Sequence, residues 1–192
     1  MALVIQTQPT EEPIEINEAK QHLRIDGDED DNLILNLITI ARQNAETVTR
    51  RAMITQTWAY YLDEWPDVDY IELPYAAPLQ SITSLKYTDY AETVTEVTAT
   101  DYETDTYREP GRLVLAYGES WPTATLHVTS PIEVIYICGY GTPDDVPLPI
   151  RQGMLMDIAD LFENRETIVT GIVNHLSILD RLYAPYRIEL IK

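Results

Sequence analysis

The chain has 192 residues, 45% of them hydrophobic, which fits one folded domain, or one domain with a large insertion, with a sizeable core. It carries 32 acidic and 13 basic residues, so its formal net charge is −19 and its pI is about 4.3. This composition argues against a protein that binds DNA through its phosphates, because such binding needs clustered Lys and Arg. It also argues against docking on an anionic membrane.

The segment up to about residue 53 has the pattern of two helices. Asn17 is expected to cap a short helix over residues 18–24, and an acidic loop, residues 26–31, follows. A longer helix is expected to begin near Asp30, because apolar residues then recur at three- and four-residue spacing. This apolar stripe consists of Leu33, Ile34, Leu37, Ile38, Ala41, Ala45 and Val48.

The segment from about residue 54 to residue 142 has the composition of strands. Thr, Val, Ile, Tyr and Trp dominate it, and Pro and Gly separate short runs. Seven short strands with short links indicate an antiparallel sheet or a small barrel. The weakly patterned residues 89–108 are expected to form an exposed hairpin. The expected strands are residues 54–62, 70–73, 81–88, 93–98, 111–117, 125–129 and 133–138.

Helical patterning returns near the end of the chain. Asp144, Asp145 and Pro147 predict a helix start, and the helix is expected to end at Asn164 or Gly171. A second helix is expected over residues 175–183. The predicted face of the first helix comprises Ile150, Met154, Ile158, Leu161 and Phe162.

This order of patterns predicts an α+β fold in a single domain, residues 1–192. Its helical core would consist of residues 13–53 and 147–187, and residues 54–146 would form a large antiparallel β insertion. The one cysteine, Cys138, cannot form an internal disulfide and is expected to be a small buried hydrophobe. Residues 1–5 lack the pattern of a signal peptide and the longest apolar run is too short to span a bilayer, so we expect a soluble protein made in the cytoplasm.

The acidic loop is the best candidate for a metal site. Asp26, Asp28 and Asp30 match the first three ligand positions of a calcium loop, but Asp31 stands where Gly is required and Leu37 where a bidentate Glu is required. The favoured interpretation is therefore a solvated acidic helix start. No metal ligand and no cofactor are assigned.

The remaining motifs identify no catalytic residue, so the sequence predicts a protein that is not an enzyme. His22, His127 and His175 are far apart, residues 118–122 lack the final Gly of a nucleophile elbow, and residues 139–141 fit a turn. Two alternatives stay open. The many carboxylates allow a metal-dependent hydrolase whose acidic pair is assembled in space, and the net charge allows an acidic DNA mimic.

Eight segments of the chain form an ordered set. They are residues 13–25 (PIEINEAKQHLRI), 55–58 (TQTW), 71–74 (IELP), 78–82 (PLQSI), 139–141 (GYG), 146–152 (VPLPIRQ), 163–166 (ENRE) and 182–187 (LYAPYR). In this order they resemble the head-to-tail connector, or adaptor, proteins of tailed bacteriophages, prophages and gene transfer agents. The resemblance extends from about Pro13 to Arg187, and residues 90–108 are not characteristic of it.

The resemblance implies a structural virion protein of the neck, at the head-tail interface. Copies of the chain would form a ring, expected to be dodecameric, that docks beneath the portal protein. The ring would extend the DNA channel and receive a stopper or tail-terminator protein. DNA would pass without specific binding, because an acidic wall repels phosphates.

The end of the chain offers candidate contacts to the portal or to a neighbouring subunit. Tyr183, Pro185, Tyr186 and Arg187 include the aromatic and Arg side chains that commonly anchor interfaces. The alternative, a helix end folded onto its own subunit, is equally open. The charge distribution also favours this region, because the chain after Pro147 has six acidic and five basic residues, whereas residues 60–110 have twelve acidic and two basic residues.

Overall fold

Helices from the two halves of the chain pack together, and the strands, one of which precedes the first helix, form a unit of their own. The computed structural model describes residues 1–164 and 173–188, and of residues 173–177 it describes the backbone alone. The helical unit comprises Thr10–Ile54 and Tyr140–Lys192, and the β unit comprises Met1–Pro9 and Thr55–Gly139. The α+β fold class predicted from the sequence is confirmed.

The helical unit contains four described helices. A short helix and a long helix come from the first segment, and two more come from the second, where the 3-10 turns Pro143–Asp145 and Ala184–Tyr186 flank them. The helices are α1 (Ile16–Leu23), α2 (Asp31–Thr49), α3 (Leu148–Glu163) and α4 (Val173–Tyr183).

The core of the helical unit follows the predicted apolar periodicity. Five of the seven stripe positions of α2 are buried, while Leu33 and Val48 are half-buried at its margins, and α3 buries Ile150, Met154 and Ile158. Burying one such aliphatic side chain is worth about 1.5–3 kcal/mol, so this core supplies much of the stability of the unit.

Two helix ends test the sequence analysis directly. The predicted cap Asn17 lies inside the first turn of α1, because the helix begins one residue earlier and Glu15 takes the cap position without a side-chain hydrogen bond. The other end follows the prediction, since Asn164 caps α3. The alternative end, Gly171, lies outside the described residues.

The β unit consists of two antiparallel sheets. The five-stranded sheet has the order β1-β2-β8-β4-β5, and the three-stranded sheet has the order β3-β7-β6. The strands are β1 (Ala2–Thr7), β2 (Gln56–Leu62), β3 (Tyr70–Glu72), β4 (Leu79–Thr88), β5 (Val94–Glu96), β6 (Tyr102–Asp105), β7 (Arg112–Leu115) and β8 (Ile132–Cys138).

Strand β8 occupies the centre of the larger sheet. It pairs with β2 on one side and with β4 on the other, and its residues alternate between buried and half-buried. Cys138 is buried at its end, as predicted. Burial raises the pKa of Tyr136, whose hydroxyl donates to the carbonyl of Pro74.

The strand predictions fail at three places. Strand β1 pairs with residues at least fifty positions away along the chain, and β6 pairs with β7 across a loop, so neither partner is visible in a local pattern. The predicted strand 125–129 forms only an isolated bridge between Leu126 and Asp89. Its backbone is bonded to the turn region after β4, with the amide of Tyr90 donating to Thr125 and that of His127 to Thr88, and no ladder extends from it.

The expected exposed hairpin at residues 89–108 is divided between the two sheets. Its first part, β5, pairs with β4, and its second part, β6, joins the smaller sheet. Among the residues that the structure describes, no helix combines the length and hydropathy needed to cross a membrane.

Candidate assembly surfaces

The C-terminal segment is attached to α2 of its own subunit. The amide of Ile188 donates to the carbonyl of Thr49 at 3.0 Å, and Arg51 donates to the carbonyl of Tyr186. Arg187 donates to the carbonyl of Val48 at 3.3 Å and to Asp180 at 2.8 Å. These bonds correspond to the alternative in which the helix end folds onto its own subunit.

Tyr183 is a core residue and has no surface to offer a partner in this conformation. Only 4% of it is exposed, and its ring lies against the backbone of Gly153 in α3. A methyl group at position 153 would lie 2.7 Å from Cε1 of the tyrosine. Burial raises the pKa of the Tyr183 hydroxyl, so the ring is neutral at all physiological pH values.

The other candidate contact residues keep accessible surface. Pro185 is exposed, Tyr186 is half-buried and the side chain of Arg187 is 43% exposed. Beside them lies a groove of about 290 Å³, formed entirely within the helical unit. Its lining includes Asn44, Thr47, Val48, Asp157, Leu179, Asp180, Tyr183 and Arg187. The segment therefore divides into a buried anchor, Tyr183, and an outer part that a partner can reach.

The acidic loop after α1 is organised by a lysine. Nζ of Lys20 lies 2.7 Å from Oδ1 of Asp28 and 2.8 Å from Oδ1 of Asp31. The hydrogen bond to Asp28 is the main reason that the pKa of Lys20 is raised, and the same bond lowers the pKa of Asp28. Lys20 thus pairs with Asp28, one of the three carboxylates that match calcium-ligand positions, and with Asp31, which stands where a calcium loop requires Gly. Across the described residues, no group of three or more His, Cys, Asp or Glu side chains is placed to hold a metal ion.

A buried ion network in α2 was missed by the sequence analysis. Arg42 donates from Nε to Glu12 at 2.7 Å and from Nη1 to Glu46 at 3.0 Å, and both α2 residues are buried. Glu46 also accepts the backbone amide of Met53 at 3.1 Å. The sequence feature that could have revealed the network is the spacing of Arg42 and Glu46. They are four residues apart and directly follow Ala41 and Ala45 of the apolar stripe, which places both charges on the inner side of the helix.

The β unit, all of which the structure describes, is strongly acidic. It contains 14 acidic and three basic residues, a formal net charge of −11. Each cation lies within 4.0 Å of a carboxylate oxygen: Lys86 pairs with Glu96, Arg108 with Glu72 and Arg112 with Asp105. The pairing with Arg112 lowers the pKa of Asp105. The unit therefore presents every cation already paired, which weakens any attraction for DNA phosphates.

Tyrosines of the β unit range from buried to fully exposed. Tyr60 and Tyr136 are buried in the larger sheet, whereas Tyr90, Tyr107 and Tyr117 are exposed in turns outside the strands. Exposed tyrosines are common in protein interfaces because they offer a large rigid surface with a polar end. They are further candidate contacts that the sequence analysis did not single out.

The weak catalytic motifs of the sequence are turns. Gly118 has a φ of 89° just after β7, and Gly139 and Gly141 have φ values of 121° and 124° after β8, which are backbone conformations that favour glycine. His127 contacts only the backbone of Thr129 through its ring nitrogen. The side chain of His175 lies outside the described residues.

Solved structures of gene transfer agent (GTA) particles contain chains with the same fold. The chain matches one described as the neck of an empty GTA particle computed with C6 symmetry, with 21% identity and a TM-score of 0.85. It also matches one from the neck of a native GTA particle computed with C12 symmetry, with 21% identity and a TM-score of 0.82. Both matches cover 100% of this chain and 98% of the other. No curated protein matches the chain.

Family membership comes from a separate comparison. Residues 13–110 match the family described as "Phage gp6-like head-tail connector protein". This range includes the helices α1 and α2 and the strands β2 to β6. The family is one of structural connector proteins, which favours the structural interpretation over the hydrolase and the DNA mimic. The chain belongs to the phage gp6-like head-tail connector family.

Proposed function

We propose that this protein is a subunit of a ring in the virion neck, between the head and the tail. The ring docks under the portal protein, extends the DNA channel and receives a stopper or tail-terminator protein. The observation that carries the proposal is the connector-family match over residues 13–110, joined to a fold that agrees over the whole chain with a chain of a GTA particle neck.

The proposed ring contains twelve copies. Support comes from the C12 symmetry with which one of the matching neck structures was computed, and the C6 symmetry of another is compatible with the same number of copies. A closed ring needs one surface of each copy to contact a different surface of the next, so two distinct contact surfaces must exist on the chain.

Charge supports the role of a channel wall. Each copy brings a formal net charge of −19, and the β unit contributes −11 of it with its cations paired to carboxylates. A ring multiplies this charge around its axis. Because DNA carries a phosphate about every 1.7 Å of its axis, such a wall repels the duplex and lets it slide without specific binding.

The outer part of the C-terminal segment is the proposed contact to the portal. Pro185 and Arg187 are exposed there, next to the groove of the helical unit. Deletion of residues 183–192 is a poor test, because it also removes the buried Tyr183. Pro185→Glu is sharper: it should leave the fold intact and reduce incorporation into particles, while His22→Glu, an added charge at an exposed position of α1, should not.

The decisive experiment is electron microscopy of particles made without this protein. The expected result is heads that are filled with DNA or leaking it and that lack tails. A copy of the wild-type gene supplied in trans should restore tailed particles. Normal tailed particles in the absence of the protein would refute the proposal.

A further inference from the structure

The outward side of α2 is uncharged along almost its whole length. Seven of its residues are exposed, and none has a charged side chain. They are Asn32, Leu35, Asn36, Ile40, Gln43, Asn44 and Thr47. At 1.5 Å per residue they extend over about 22 Å of helix. We call these seven residues the neutral face.

The neutral face exists because the charges of α2 point inward. Between Asp31 and the end of the helix the only ionisable side chains are Arg42 and Glu46, and both are buried in the network with Glu12. Placing a charge pair inside a helical unit costs desolvation, and an exposed position on the same helix would avoid that cost. The arrangement leaves the outer surface without charge.

Such a surface is unusual for this chain. Charged residues make up 23% of the sequence, and the surface of a soluble domain normally has at least that fraction. Leu35 and Ile40 are 47% and 41% exposed on the neutral face. Exposed aliphatic residues surrounded by few charged residues are typical of the core of a protein interface. Polar side chains nearby would form its rim, among them Asn44 and Asp157, which are joined by a hydrogen bond of 2.9 Å.

We propose that the neutral face is a contact between neighbouring copies of this chain in the ring, an inference that rests on the proposed function. Charge selects a second copy as the occupant. Two copies that each carry −19 repel one another, and the repulsion is weaker where one of the two contacting surfaces exposes no charged residue of its own. A basic partner would gain more by docking on the acidic surfaces than on this one.

The ring also determines the kind of contact. A cyclic assembly uses head-to-tail interfaces, so the neutral face of one copy meets a different surface of the next. Residue 43 of one copy should therefore lie near residues other than 43 of its neighbour.

Photo-crosslinking in assembled particles tests the occupant. Gln43 is replaced by a benzoylphenylalanine residue in a complemented strain, purified particles are irradiated, and products are mapped by mass spectrometry. The expected product is a covalent dimer of the 22.0 kDa chain, linked from residue 43 to another position. A crosslink to a different virion protein, a link between residues 43 of two copies, or no dimer at all would each overturn the inference while the ring function stands.

Matched substitutions provide the second readout. Ile40→Glu with Gln43→Glu adds two acids to the neutral face, and Gln21→Glu adds one to the exposed side of α1. All variants should unfold at the temperature of the wild type, because the altered positions are exposed. The double variant should lower the yield of tailed particles at least tenfold and Gln21→Glu should not. Wild-type yield from the folded double variant would refute the inference, and absence of the wild-type protein from tailed particles would refute the proposed function with it.

Discussion

The contact between Gly153 and Tyr183 predicts that an alanine at position 153 destabilises the helical unit. A Cβ there would lie 2.7, 2.8 and 2.9 Å from three atoms of the tyrosine, Cε1, Cζ and Oη. Ordinary carbon contacts are about 3.5–4.0 Å, so the ring must move by almost 1 Å or the helices must separate. Tyr183 is only 4% exposed, so packed neighbours hold most of the ring in place.

Two opposing effects determine the magnitude. Gly→Ala in the interior of a helix gains about 1 kcal/mol of helix propensity. Overpacking of a core costs about 1–3 kcal/mol, and here the group that must yield is a buried aromatic ring. With an overpacking cost in the upper part of that range, about 2–3 kcal/mol, Gly153→Ala should lower the free energy of unfolding by about 1–2 kcal/mol, opposite in sign to the effect expected on an open helix.

A double-mutant cycle isolates this contact. In a Tyr183→Leu background the ring is gone, so Gly153→Ala should become neutral or stabilise by up to about 1 kcal/mol, giving a coupling energy of about 2 kcal/mol. Urea unfolding followed by circular dichroism measures all four variants. Tyr183→Phe is the matched control, because it keeps the ring and should keep most of the penalty. Equal effects of Gly153→Ala in both backgrounds would refute the reasoning.

Three further predictions concern charge. Glu46→Ala removes one partner of the buried Arg42 and should lower the free energy of unfolding in urea by about 3 kcal/mol. Lys20→Ala breaks ion pairs with the exposed Asp28 and the partly exposed Asp31, so it should lower this free energy by less. Equal losses from the two variants would contradict the burial argument. The Arg112 bond lowers the pKa of Asp105, so its stabilisation is complete above the ordinary Asp pKa and is lost as pH falls below about 4. Asp105→Asn should therefore flatten acid unfolding of the β unit, and an unchanged pH profile would count against this ion pair. Calcium, magnesium and manganese should leave the thermal unfolding temperature unchanged, because Lys20 already pairs with Asp28 and Asp31; a rise that Asp28→Ala abolishes would support the metal site instead.

Local periodicity explains which parts of the fold were predictable from the sequence. The apolar stripe of α2 and the buried Ile150, Met154 and Ile158 of α3 were predicted, because a helix of 3.6 residues per turn shows its buried side in its own sequence. Leu155 of α3 is also buried and was not predicted. Six of the eight strands were predicted, with small errors at their ends. The sequence of a strand does not show which strand it pairs with. For this reason β1 and β6 were missed, and residues 125–129 were predicted as a strand although they form only an isolated bridge.

The candidate contacts were predictable only in part. The sequence identified Tyr183, Pro185, Tyr186 and Arg187 by residue type, but type alone does not separate an anchor of the subunit's own core from an anchor of an interface. The feature that identifies Tyr183 as a core residue is Gly153 on α3, thirty residues earlier in the chain. Because Gly153 has no side chain, the Tyr183 ring can pack against the helix there. Their role at the portal stays a prediction.

Charge counts along the sequence point to a different surface from the one that the fold reveals. The balanced segment after Pro147 was the expected place for contacts, because it has six acidic and five basic residues. A surface is neutral, however, when the exposed side chains are uncharged, and α2 meets that condition although it lies beside an acidic loop. Its Arg42 and Glu46 compensate each other inside the helical unit, so they add nothing to the outward field of the helix. In the proposed ring, whose subunits each carry −19, this inward pairing would lower the electrostatic cost of close approach along α2, and the charge variants of Ile40 and Gln43 test that expectation directly.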